Sequence, residues 1–88
     1  MTPPETTLRV RVLFFARIRD LASRDEITVS LRPGTTVGAA LAHLEGTVPA
    51  LRGQLDACRV AIDKEFVTVD TCLDRDAELA IIPPVSGG

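Results

Sequence analysis

One stretch of this 88-residue chain sets the limits on its fold. From Val37 onward, Val37, Ala40, Leu41 and Leu44 fall at i, i+3, i+4 and i+7, the stripe of an amphipathic helix. Thr36 stands at its N-cap, where a side-chain oxygen satisfies a free backbone N–H. Gly46 is placed to end it. His43 falls off the stripe and faces solvent. Elsewhere apolar residues alternate, the pattern of half-buried strands. One helix has one apolar stripe, so it covers one face of a sheet and leaves the other to be explained.

The strands read as follows. In "LRVRVLFFA" (Leu8 to Ala16), Leu8, Val10, Val12 and Phe14 share the core face. The opposite face begins with Arg9 and Arg11, then turns apolar at Leu13 and Phe15. "RIRDLASRDE" reads as a polar connection with room for a short helical turn, and "EITVSL" (26–31) closes a hairpin with the first strand. After the helix, "VPALRGQL" adds a short helical turn from Pro49. Cys58, Val60 and Ile62 alternate inward, Asp63 and Lys64 suit a tight turn, and "EFVTV" makes a short edge strand. "LDRD" is another turn, and "AELAII" is the last strand, with Leu79 and Ile81 toward the helix and Ile82 away from it. The order is ββαβ(β)β. Aromatics make up 3% and no repeat occurs, which argues against an all-β barrel. The fold class is α+β. The order and length fit the β-grasp, or ubiquitin-like, arrangement: a mixed sheet with one main helix packed on one face. That arrangement carries the expectation that the first and last strands run parallel, side by side, at the centre.

The domain spans 8–82, after a disordered lead-in at 1–7 and before an extended tail at 83–88. A single small core follows from 88 residues that are 45% hydrophobic; such a chain buries only about 60–65% of its unfolded surface. A net charge of -2 gives no general affinity for nucleic acid or membrane. The arginines cluster early and the carboxylates late, as solvated loops or as a docking surface of mixed charge. With one histidine and two cysteines, a zinc site of those residues alone is one ligand short, so no metal is expected. Cys58 and Cys72 are expected to be small buried hydrophobes in a reducing compartment. "MTPPETT" has neither the basic region nor the apolar run of a signal peptide. No apolar stretch approaches the roughly 20 residues that span a bilayer. These features point to the cytoplasm. No Ser/His/Asp set or GxSxG is present, and Asp74, Asp76 and Glu78 lie in a turn pattern, so the chain is not expected to catalyse alone.

The end of the chain, "IIPPVSGG", carries the functional reading. Leu13, Phe15 and Ile82 gather on the uncovered face where the tail departs. An apolar patch beside an exposed tail reads as a protein docking surface. Pro83 and Pro84 hold the next residues extended and lower the entropy lost on capture. Gly87 and Gly88 present no side chain to a narrow channel. The tip's reactive group is a carboxylate, a poor electrophile until activated, most simply as an acyl-adenylate. The chain has neither GxxxxGK[ST] nor GxGxxG, so it binds no cofactor of its own; ATP must come with a partner enzyme. The activated acyl group then passes to an amine, making a protein modifier, or to sulfur, making a thiocarboxylate.

"VRVLFFARIRDLAS", followed at the far end by "LAIIPPVSGG", resembles the small, sulfur-carrier subunit of molybdopterin synthase, over about residues 8 to 88. The resemblance implies a β-grasp fold and an E1-like partner that adenylates the Gly-Gly terminus. It implies a thiocarboxylate at Gly88, delivered into the large synthase subunit of a heterotetramer. There the sulfur goes to cyclic pyranopterin monophosphate, building the molybdopterin dithiolene. By position, Val85, Ser86 and Gly87 thread the partner's channel, Phe15 and Ile82 match apolar interface positions, and Arg19 matches an arginine near the same surface. Ile82 stands where some relatives have an aromatic. "RDAE" puts Asp76 where a glycine often sits; Asp tolerates a left-handed conformation better than most residues, so the turn is expected to survive. Two other readings stand beside this one: a sulfur carrier for another pathway, thiamine or cysteine, and a ubiquitin-like modifier. Lys64 is the only lysine, which weakly disfavours branched chains. The immediate sulfur donor is not encoded in these residues.

Overall fold

A computed structural model of the chain describes residues 7–84. The elements run β1 (Leu8–Phe14), α1 (Ala16–Ala22), β2 (Glu26–Leu31), β3 (Thr35–Thr36), α2 (Val37–Thr47), a 3₁₀ turn (Pro49–Leu51), β4 (Arg59–Ile62), β5 (Glu65–Val67), β6 (Cys72–Leu73) and β7 (Ala77–Ile82). Five strands form one mixed sheet in the order β2-β1-β7-β4-β5, and β3 pairs with β6 in a small second ladder. β1 and β7 are parallel neighbours, from Val10↔Ala77 to Phe14↔Ile81, as expected of a β-grasp fold. β7 also pairs antiparallel with β4, so it is flanked on both edges.

Alternation decides which side chains enter the core. Val10, Val12, Phe14, Val60, Leu79 and Ile81 are all 5% exposed or less and meet the buried Val37, Ala40 and Leu44 of α2. Thr36 caps α2 as its sequence position suggests, its hydroxyl accepting a hydrogen bond from the Ala39 N–H. His43 is exposed. Gly46, in contrast, does not end the helix. α2 continues through Thr47, and Val48 N donates to the Leu44 carbonyl as the cap. Val48 is itself drawn into the core, and that burial carries the chain one residue beyond the glycine.

The polar connection after β1 folds into α1, a seven-residue helix. Ile18 and Ala22 are buried, and Leu21 packs partly against the core, so an i, i+3, i+4 stripe lies among the arginines. Ser23, at φ 58, closes α1 by donating its N–H to the Asp20 carbonyl. Asp63 and Lys64, at φ 48 and 75, make the tight turn between β4 and β5. Two successive positive φ values are what a type I′ hairpin turn requires. The turn before β7 is kept, and Asp76 takes no positive φ in it. Its carboxylate instead accepts a hydrogen bond from the Arg9 N–H at 2.8 Å, which ties the turn to β1. The buried-thiol expectation holds only halfway: Cys58 is partly buried, with its thiol donating to the Gln54 carbonyl, whereas Cys72 is exposed. In β6 it is Leu73 that points inward. Among the described residues no helix is long and apolar enough to cross a membrane.

Candidate functional site

The face of the sheet away from α2 is the uncovered one. Cross-strand partners share a face, so the ladder register lays out its rows. One row reads Glu26, Leu13, Ala80, Ala61, Phe66 across β2, β1, β7, β4 and β5. The row toward the tail pairs Ile82 with Arg59. The row on the other side pairs Thr28, Arg11 and Glu78.

These rows differ in chemistry. Arg11 binds Glu78 and lies 3.9 Å from Glu26, an exposed ionic cluster. The Glu78 hydrogen bond and the two nearby carboxylates push the Arg11 pKa further up. Glu78 and Asp63 also cross-link the hairpin, since Asp63 Oδ1 accepts from the Glu78 N–H at 3.0 Å. The Asp63, Asp76 and Glu78 carboxylates therefore hold backbone and arginines in place. Toward the tail the face turns apolar: Leu13, Ala80 and Ile82 are half-buried, and Phe66 is 56% exposed. Ala61 is buried, yet lies outside the main core cluster, because it faces this side.

Phe15 follows β1 directly, one residue past the Phe14↔Ile81 pair and so level with Ile82. It is 44% exposed. It also occupies the N-cap of α1, where it makes no side-chain capping bond. Ser, Thr, Asp or Asn would serve that position better. Ala16 then turns the chain into α1 at φ 49, a left-handed conformation that costs an alanine about 1 kcal/mol. A bulky apolar residue thus stands exposed where local helix chemistry prefers a small polar one.

The sequence-predicted residues separate into groups. Leu13, Phe15 and Ile82 belong to the tail end of the open face, Pro83 is half-buried and Pro84 exposed. Arg19 lies one helical turn beyond Phe15 on α1, its side chain 3.9 Å from Asp25. Val85, Ser86, Gly87 and Gly88 lie outside the described residues. Two residues were missed. Phe66 and Arg59 stack, the guanidinium carbon 3.8 Å from the ring centroid. Their signal was present in "RVAIDKEFV": two-residue turns fix register, and Phe66 must then face the same way as Ala61.

Comparison with known proteins places this geometry. Residues 12–88 match the model of the ThiS family. The chain belongs to that family. A relative from Chlamydomonas reinhardtii, a "Molybdopterin synthase sulfur carrier subunit", is 35% identical over 92% of this chain and 100% of its own length. Among solved structures, the crystal structure of SAMP1 from Haloferax volcanii is similar with a TM-score of 0.83 at 30% identity, over 91% of this chain and 99% of that one. A further structure shares the fold, with a TM-score of 0.64 at 20% identity, over 92% of this chain and 100% of that one. It comes from the protein–protein complex of subunits 1 and 2 of molybdopterin-converting factor from Helicobacter pylori. This ThiS-family chain therefore has the ubiquitin-like β-grasp fold and the molybdopterin synthase sulfur carrier subunits as relatives along nearly its full length.

Proposed function

We propose that this chain is the sulfur-carrier subunit of a molybdopterin synthase. The observation that carries the reading is the full-length likeness to sulfur carrier subunits, joined to an open sheet face that turns apolar where β7 hands over to Pro83 and Pro84. In this reading the Gly88 carboxylate attacks the α-phosphorus of ATP on an E1-like enzyme and pyrophosphate leaves. A sulfide equivalent then displaces AMP, and the terminus becomes a thiocarboxylate. That group is ionised and holds a soft, polarisable sulfur nucleophile. The open face docks on the large synthase subunit, and residues 83–88, at most about 20 Å long, deliver the sulfur. The acceptor is cyclic pyranopterin monophosphate, and the product is the molybdopterin dithiolene. The complex is a heterotetramer in the cytoplasm. The small chain contributes reach, docking and the sulfur atom; ATP chemistry belongs to its partner.

The intact mass of the chain after incubation with its E1-like enzyme, ATP and a sulfur source tests this. The expected gain is that of one oxygen replaced by sulfur, mapped to the C-terminal peptide and absent when Gly88 is deleted. An unchanged mass with active enzyme removes the chemistry assigned to the tip. A second reading has support of its own: the similar Haloferax volcanii structure is that of a small archaeal modifier protein. It predicts high-mass conjugates on a denaturing blot, linked from Gly88 to lysines of other proteins.

A further inference from the structure

The arginines around the open face are not equivalent. Arg11 meets Glu78 and Glu26, Arg19 meets Asp25, and Arg75 meets Asp63. Arg59 meets no carboxylate among the described residues. Its guanidinium lies over the Phe66 ring instead. It also stands directly across from Ile82, the last paired residue before the tail. Arg59 is therefore set among the side chains that a docking partner has most reason to cover.

Covering Phe66 and Ile82 also covers Arg59. A guanidinium taken out of water keeps the support of the ring on one of its faces, but its N–H groups point outward around the edge. A buried charge without an acceptor is strongly unfavourable. A carboxylate answers both needs, since it takes two parallel N–H bonds from the fork and neutralises the charge. A neutral carbonyl would satisfy the hydrogen bonds and leave the charge unmatched. The ring holds the guanidinium in place beforehand, so little freedom remains to be lost on pairing.

Resting on the docking reading above, we propose that the protein surface that covers this face presents an Asp or Glu carboxylate to Arg59, beside the point where the tail leaves. Arg59 is then the charge that sets the partner's orientation. The arginines bound to internal carboxylates add little selectivity of their own.

Calorimetric titration of the intact chain with the separately purified large synthase subunit of the same organism tests the proposal. Wild type, Arg59→Met and Phe66→Ala are compared, with thermal unfolding as the control for folding. Met keeps the apolar stem and removes the charge. The expected result is at least about a thirtyfold rise in Kd for Arg59→Met at low salt. Raising NaCl about tenfold should weaken wild type clearly and the variant much less. The proposal is overturned if Arg59→Met binds within about threefold of wild type with an unchanged salt response while Phe66→Ala binds poorly. In that outcome docking stands, and Arg59 turns outward to water. If Phe66→Ala also binds like wild type, docking on this face fails, and the Arg59 pairing fails with it.

Discussion

The two faces of the five-stranded sheet are made by the same strands, yet they follow different rules. On the helix side Val12, Leu79, Ile81 and Phe14 are at most 3% exposed and the side chains are uniformly apolar. On the open side the chemistry is graded along the strands. Arg11 lies at one end, its guanidinium bound to Glu78, beside Arg9, whose backbone N–H donates to Asp76; Leu13, Ala80 and Ile82 lie at the other. The covered face is uniform because its only task is to exclude water. The open face is graded: one end is ionic and well hydrated, and the other is the apolar surface proposed above to meet a partner. A single strand thus carries stability on its odd positions and recognition on its even ones, or the reverse.

This division can be broken one residue at a time. The largest effect belongs to the covered face. Leu79→Ala should cost about 3–4 kcal/mol, since Leu79 is fully buried at the centre of the sheet. Its unfolding midpoint should fall by about 12–32 °C in calorimetry. Phe15→Asp should act in the opposite sense. Aspartate is a good N-cap, so stability should hold or rise by about 0.5–1 kcal/mol, while affinity for the large subunit falls at least about tenfold. A matched loss of stability and binding at Phe15 would erase the distinction between the faces. Arg11→Met, at the ionic end, should move the unfolding midpoint by less than about 3 °C, because an exposed ion pair is well hydrated when broken.

The smallest effect separates the two thiols. Burial pushes the Cys58 pKa up, against a weaker opposing pull from Arg17. Less thiolate and less access should make Cys58 alkylate more slowly than the exposed Cys72 in the folded chain, and at similar rates in denaturant. The sign of the linkage follows. Below the ordinary thiol pKa of about 8.5 both states keep Cys58 neutral; above it the unfolded chain ionises first, and stability falls. Equal rates in the folded chain, read by mass spectrometry, would contradict the burial of Cys58.

The regular elements were legible because each carried its own period. Leu8 to Phe14 alternates cleanly, and Val37 to Leu44 repeats at helical spacing. α1 looks like a connection in sequence because arginines at 17, 19 and 24 outweigh Ile18, Leu21 and Ala22, whose burial comes from the sheet and the 3₁₀ turn packed beside them. Gly46 misled for a related reason: nothing local stops α2, and Val48 decides its end from the core side. Leu13, Phe15 and Ile82 were readable from strand parity plus one assumed pairing. Phe66 could be placed from the two-residue turn inside "RVAIDKEFV", but setting Arg59 opposite Ile82 needs the β4–β7 register, which that window does not contain.

The position of β7 has a mechanical consequence. It lies between β1 and β4, hydrogen-bonded along both edges, and the tail continues from its end at Ile82. A tug along the strand is therefore shared by two ladders at once, in shear. An edge strand would instead unzip one bond after another. On the sulfur-carrier function proposed above, a tip drawn into a partner's channel and withdrawn again would pull on the part of the body least able to give way, and the fold would survive repeated cycles.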